Sequence, residues 1–91
     1  MKKLEDKLRE YMPLSNMEKG AYCYVYQIRG GGGFTRRLYD LGILPNSELK
    51  VCYNVYRGPM LVEVKGTRLA LGRGITKKII VKKIEKLNDK E

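Results

Sequence analysis

Residues 49–72, "LKVCYNVYRGPMLVEVKGTRLALG", alternate in the manner of extended chain. Leu49, Val51, Tyr53 and Val55 fall on one face, and Lys50, Cys52, Asn54 and Tyr56 on the other, because successive strand side chains point to opposite sides. "RGP" at 57–59 interrupts the pattern, and "MLVEVK" resumes it with Val62 and Val64 sharing a face. Lys65-Gly66 then suits a two-residue hairpin turn, since Gly66 can take positive φ. "TRLALG" returns with Leu69 and Leu71 on one face and Arg68 and Ala70 on the other. Three short strands joined by tight turns, each with one apolar side, predict a strongly bent antiparallel sheet.

The flanks extend this reading. "AYCYVYQI" (21–28) is rich in aromatic and β-branched residues and reads as a strand. After one short turn at "RGIT" (73–76), "KKIIVKKI" (77–84) reads as the last of five. Between the first and second strands, "FTRRLYDLG" spaces Phe34, Leu38 and Leu41 at i, i+4, i+7, a single apolar face of a two-turn helix, with Gly42 as its C′ residue. Pro45 and Asn46 form the following turn. Upstream, "KKLEDKLREYM" puts Leu4, Leu8 and Tyr11 or Met12 at helical spacing, and Pro13 ends that segment. The organisation expected of the 91 residues is an amphipathic helix at 1–13, a mainly β, partly open five-stranded barrel at 14–84, and a charged tail at 85–91.

The run Gly30–Gly33 invites a phosphate-binding reading; its spacing fits neither nucleotide motif and leaves as an alternative only a looser anion nest at the helix N-terminus, near Arg36 and Arg37. A Walker A loop needs Gly-Lys-Ser/Thr, but Phe34 and Thr35 follow Gly33. The dinucleotide fingerprint needs a third glycine five residues on from the first, yet Thr35 and Arg36 stand at those positions, and no βαβ unit surrounds them. The run is expected instead to let the chain reverse sharply and lay the helix across one end of the barrel.

Chemistry is sparse. The chain has no histidine, so the commonest general acid–base group and transition-metal ligand are both missing. Cys23 and Cys52 fall two ligands short of a structural zinc site and read as small, partly buried apolar residues. No apolar run is long enough for a signal peptide or membrane span, which points to a reducing cytoplasm and free thiols. Neither enzyme activity nor a cofactor or metal site is expected. The net charge is +9, and residues 50–84 hold nine bases against one acid, Glu63. Such a balance favours an acidic protein, nucleic acid or anionic lipid as partner.

Several stretches in order resemble the FeoA family of bacterial ferrous iron uptake. They are "PLSNMEKG" with Leu14, Ser15 and Gly20, "RRLYDLGILPNSELKV" (36–51), "KGTRLAL" (65–71) and "TKKIIV" (76–81). Lys65 stands where the family has Arg, Thr76 where Ala is usual, and "GRG" (72–74) is more glycine-rich than the family's turn. The resemblance covers residues 14–84 and implies an SH3-like barrel without enzymatic activity. It also implies an accessory role beside FeoB, the membrane ferrous-iron transporter, with docking on its cytosolic GTPase region.

Two surfaces are the candidates for that docking. One is the outer helix face, Arg36, Arg37, Tyr39 and Asp40; the other is a basic strand face with Lys50, Arg57, Lys65 and Arg68. Tyr24, Tyr26, Tyr53 and Tyr56 are candidates for an aromatic groove between strands. The competing reading is a nucleic-acid-binding small barrel, in which basic strands track phosphates and tyrosines stack bases. A metal-responsive regulator fragment is a third, opposed by the missing histidines and by the absence of a helix-turn-helix pattern. A monomer is expected, with at most peripheral contact to a membrane.

Overall fold

The computed structural model describes residues 10–55 and 57–85. Six strands form one antiparallel sheet: β1 (Tyr11–Pro13), β2 (Tyr22–Ile28), β3 (Glu48–Tyr53), β4 (Met60–Val64), β5 (Thr67–Leu71) and β6 (Ile79–Ile84). Their order across the sheet is β1-β6-β2-β3-β4-β5. A 3-10 turn (Leu14–Asn16) follows β1, helix α1 (Gly32–Asp40) follows β2, and a single-turn helix α2 (Arg73–Thr76) precedes β6. The fold is mainly β, as the alternating segments predict.

The sixth strand corrects the sequence reading. Tyr11 and Met12, assigned above to the end of an amphipathic helix, pair instead with Lys82 and Val81. Proline explains it: the residue before Pro13 is pushed toward extended conformation, and an edge strand tolerates the missing N–H. The remainder of that expected helix, residues 1–9, lies outside the described residues.

Alternation sets the core. Leu49 and Val51 of β3, Met60, Val62 and Val64 of β4, and Val25 and Cys23 of β2 all turn inward and are buried with Leu14, Ile79 and Val81. Two bulges bend the sheet, between Val25 and Gln27 and between Val51 and Tyr53. Each slips the alternation by one residue. Tyr53, expected on the same face as Leu49 and Val51, is therefore half exposed. The β4–β5 turn is tight, with Lys65 at φ 52° and Gly66 at φ 81°, the type I′ pattern that matches strand twist.

Helix α1 also departs from its expected limits. It starts at Gly32, so two of the four glycines lie in its first turn. Its C-terminus is a Schellman cap: Gly42 at φ 91° donates its N–H to Tyr39 O (2.9 Å), and Ile43 N–H reaches Leu38 O (2.8 Å). That cap carries the chain inward, so Leu38 and Ile43 are the buried anchors. Leu41, placed on the core stripe by its spacing, is 45% exposed. The cap redirects the chain before the i+7 position can reach the core.

The next turn is fastened to β2. Ser47 Oγ donates to Gly42 O (2.9 Å) and accepts from Leu44 N–H (3.1 Å). Asn46, at φ 78°, donates its N–H to Val25 O (2.7 Å), and Val25 N–H reaches Ser47 O (2.8 Å). Side-chain hydrogen bonds of this kind replace the backbone pairing a turn cannot supply.

Candidate functional site

Helix α1 offers a fixed outer face. With Leu38 buried beneath it, helical geometry turns Arg36 and Asp40 outward on one line, with Tyr39 and Arg37 on either side. All four are exposed. Tyr39 and Leu41, both 45% exposed, add apolar area to the same end of the helix. Neither arginine forms an ion pair with a described acid. The face thus combines an aromatic ring, an aliphatic side chain and two guanidinium groups, with the Asp40 carboxylate four residues from Arg36, a composition enriched at protein interfaces.

The expected basic strand face is divided by the fold. Tyr22, Lys50, Glu63 and Arg68 lie in one cross-strand row over β2, β3, β4 and β5. Glu63 sits between the two bases, 3.8 Å from Arg68 Nε, and Lys50 Nζ lies 5.6 Å from the Tyr22 ring centroid. Lys65 occupies the β4–β5 turn at that end of the sheet. Arg57 is in the β3–β4 connection, at the other end of β4. Lys50, Lys65 and Arg68 therefore form one group, and Arg57 belongs elsewhere.

The tyrosines are divided too. Tyr24 and Tyr26 meet Tyr11, which the helical reading of residues 1–13 concealed. The Tyr11 and Tyr26 rings lie 4.5 Å apart, and all three line a shallow hollow of about 240 Å³ with Val25, Asn46 and Lys82. Tyr24, Lys82 and Met12 continue into a larger groove of about 550 Å³ beside Ile84, Glu10 and Glu85. Lys82 is held there by Glu10 at 3.3 Å. Tyr53 is apart from this group, 5.9 Å from Lys19 Nζ. Tyr56 lies outside the described residues.

The sequence reading also passed over Arg73. Its guanidinium donates to Gly58 O (3.0 Å), Ser15 O (3.4 Å), Asn54 Oδ1 (2.5 Å) and Val55 O. Asn54 Nδ2 in turn donates to Met17 O (2.5 Å) and Ser15 O (3.3 Å). Five donors in a planar fork suit a cluster of loop carbonyls. The network ties the β3–β4 connection to the 3-10 turn and α2. A lone arginine in "GRG" gives no such signal, because its acceptors come from distant loops.

Little here resembles a reaction centre. Cys23 is fully buried, and its thiol is pushed up from 9.0 to about 12, first by burial and then by the nearby Glu48 carboxylate. A thiol so held is neutral and unreactive at physiological pH. Cys52 is half buried and reduced. Among the described residues, no three of His, Cys, Asp and Glu converge to hold a metal ion. No described helix is long and apolar enough to cross a membrane.

Comparison with known proteins bears on the same residues. The model of the FeoA domain family matches residues 12–83. A curated protein of Methanocaldococcus jannaschii, named Fe(2+) transport protein A, is 38% identical over 73 residues, covering 80% of this chain and 88% of that one. Among solved structures, an iron uptake regulatory protein (FeoA) is 31% identical with a TM-score of 0.78, over 81% of this chain and 99% of the other. FeoA of Stenotrophomonas maltophilia, a prokaryotic SH3 domain protein solved with zinc, is 28% identical with a TM-score of 0.68, over 77% and 88% of the two chains.

Proposed function

This chain belongs to the FeoA family, and from that premise we propose that it serves ferrous iron uptake as a non-enzymatic accessory protein, docking through α1 on the cytosolic GTPase region of a FeoB-type membrane transporter. The accessory role in ferrous iron transport is the family's. The docking reading rests on one observation: α1 presents Arg36, Arg37, Tyr39 and Leu41 outward on a helix fixed from below by Leu38 and by its Schellman cap. A preorganised face loses less entropy on binding than a loose one. Its two adjacent arginines outnumber Asp40 and favour an acidic partner surface, which speeds encounter. The row of Lys50 and Arg68 is the weaker candidate, because Glu63 between them already pairs with Arg68 at 3.8 Å, whereas neither arginine of α1 is ion-paired with a described acid. On this reading the protein works in the cytoplasm as a monomer.

The test is ferrous iron uptake in a strain lacking the gene. The intact protein should restore uptake. The double variant Arg36→Glu, Arg37→Glu should fail to do so while accumulating to the same level. Equal restoration by both would overturn the assignment of α1.

A further inference from the structure

The fold groups charges in a way the linear sequence does not reveal. Glu63 lies in the cross-strand row of Ile84, Tyr22, Lys50 and Arg68, and the register sets Glu10, Glu48 and Glu85 within two residues of that row. Three acids meet bases: Glu10 with Lys82, Glu18 with Lys83, and Glu63 with Arg68. The sixth described acid, Asp40, is in the last turn of α1, and that helix ends beside the β4–β5 turn, where Gly42 faces Val64 and Lys65.

The strand ends away from that row are different. Arg29 follows β2 and donates its N–H to Lys78 O (2.8 Å). Lys78 Nζ lies 5.2 Å from the Phe34 ring, at the start of α1. Lys77 shares a shallow cleft with Asn54, Val55 and Arg73, and Arg73 holds the Gly58 carbonyl next to Arg57. Arg29, Arg57, Lys77 and Lys78 are all exposed, and none of the four forms an ion pair with a described acid. They stand on three tight connections: Arg29 on β2 to α1, Arg57 on β3 to β4, and Lys77 and Lys78 on α2 to β6.

We infer that this end of the barrel seats on an anionic lipid headgroup surface. Bases carried on adjacent loop tips present a broad array rather than a groove, and a broad array complements a planar field of phosphates. A single nucleic-acid strand would need a channel with stacking rings. Tyr11, Tyr24, Tyr26 and Tyr53 stand on strands and Tyr39 on α1, and the described ring in contact with these bases, that of Phe34 beside Lys78, is half-buried and offers no open stacking face. A base near an anionic leaflet contributes about 1 kcal/mol. This contact is separate from the protein docking proposed above and does not depend on it.

The test is co-sedimentation of the full chain with phosphatidylcholine vesicles, with and without phosphatidylglycerol, across a salt series. Binding should require phosphatidylglycerol and fall steeply as salt rises. The variant Arg29→Gln, Lys77→Gln, Lys78→Gln should reduce partitioning by about 10²-fold, from three contacts of about 1 kcal/mol each. Lys50→Gln, Lys65→Gln, Arg68→Gln removes equal charge from the other end and should leave partitioning within about threefold of the intact protein, since bases facing away from a bilayer are screened. Equal losses in the two variants would mean that net charge alone is read and would overturn the proposal. So would absence of binding at low salt. Displacement from vesicles by a single-stranded oligonucleotide at lower phosphate concentration than the vesicles present would overturn it in favour of nucleic acid.

Discussion

The glycine run can be dissected residue by residue, because its members do different things. Gly30 has φ 145°, and a Cβ built there would fall 2.5 Å from Phe34 Cδ2. Alanine at this position meets both an unfavourable backbone and the Phe34 ring, so Gly30→Ala should destabilise by about 2 kcal/mol. Gly32 and Gly33 occupy the first turn of α1, and a Cβ on either meets nothing within 4 Å. Alanine there restricts the unfolded chain without strain, and first-turn positions gain less than helix interiors. About 0.5 kcal/mol each is expected. The variant Gly32→Ala, Gly33→Ala should therefore raise the melting temperature by roughly 4–8 °C, and Gly30→Ala should lower it by about twice that. Thermal unfolding followed by circular dichroism measures both. If the double variant loses stability like Gly30→Ala, the run is needed as a whole, and the assignment of its second half to the helix fails.

Other predictions follow from the network and the thiols. Arg73→Lys replaces a five-donor fork by one ammonium that cannot reach Gly58, Ser15, Asn54 and Val55 together. It should cost about 2 kcal/mol in urea unfolding and expose the β3–β4 connection to proteolysis; unchanged values would show the network to be incidental. A thiol reagent at pH 8 should label Cys52 in the native protein and Cys23 only after unfolding, since Cys23 is fully buried. Because the Cys23 thiol is raised from 9.0 to about 12 in the fold, its stabilising contribution is complete below pH 9. It should be lost as pH rises from about 9 toward 12, with a limiting slope of about 1.4 kcal/mol per pH unit. Urea midpoints of the intact protein and Cys23→Val across that window isolate the thiol from titrating tyrosines and lysines; parallel curves would refute the assignment.

Much of the fold is readable in short-range pattern. Val62 and Val64, the Lys65-Gly66 turn and the Gly42 cap each obey a local rule that packing does not override. The failures have long-range causes. Tyr53 leaves its expected face because of a bulge whose partner, Leu61, is on another strand. Tyr11 and Met12 join the sheet because β6, some seventy residues on, offers an edge; their own spacing fits a helix equally well. Leu41 is turned out by a cap that satisfies carbonyls rather than by its hydropathy. The candidate site divides in the same way. The exposure of Arg36, Arg37, Tyr39 and Asp40 follows from helical geometry around Leu38. The separation of Arg57 from Lys50 and Arg68, and the gathering of bases at one barrel end, depend on sheet topology that composition cannot convey.

Calorimetric titration of the purified cytosolic region of the transporter with this protein tests the docking account most directly. The intact chain should bind. Tyr39→Ala should weaken binding by about 30-fold, as loss of an interfacial anchor worth about 2 kcal/mol. Arg36→Glu, Arg37→Glu should abolish it with the circular dichroism spectrum unchanged, and Lys50→Glu, Arg68→Glu should leave it within about threefold of the intact chain, an allowance of less than 1 kcal/mol for rim charges. Undiminished binding by the Arg36, Arg37 variant would contradict the account.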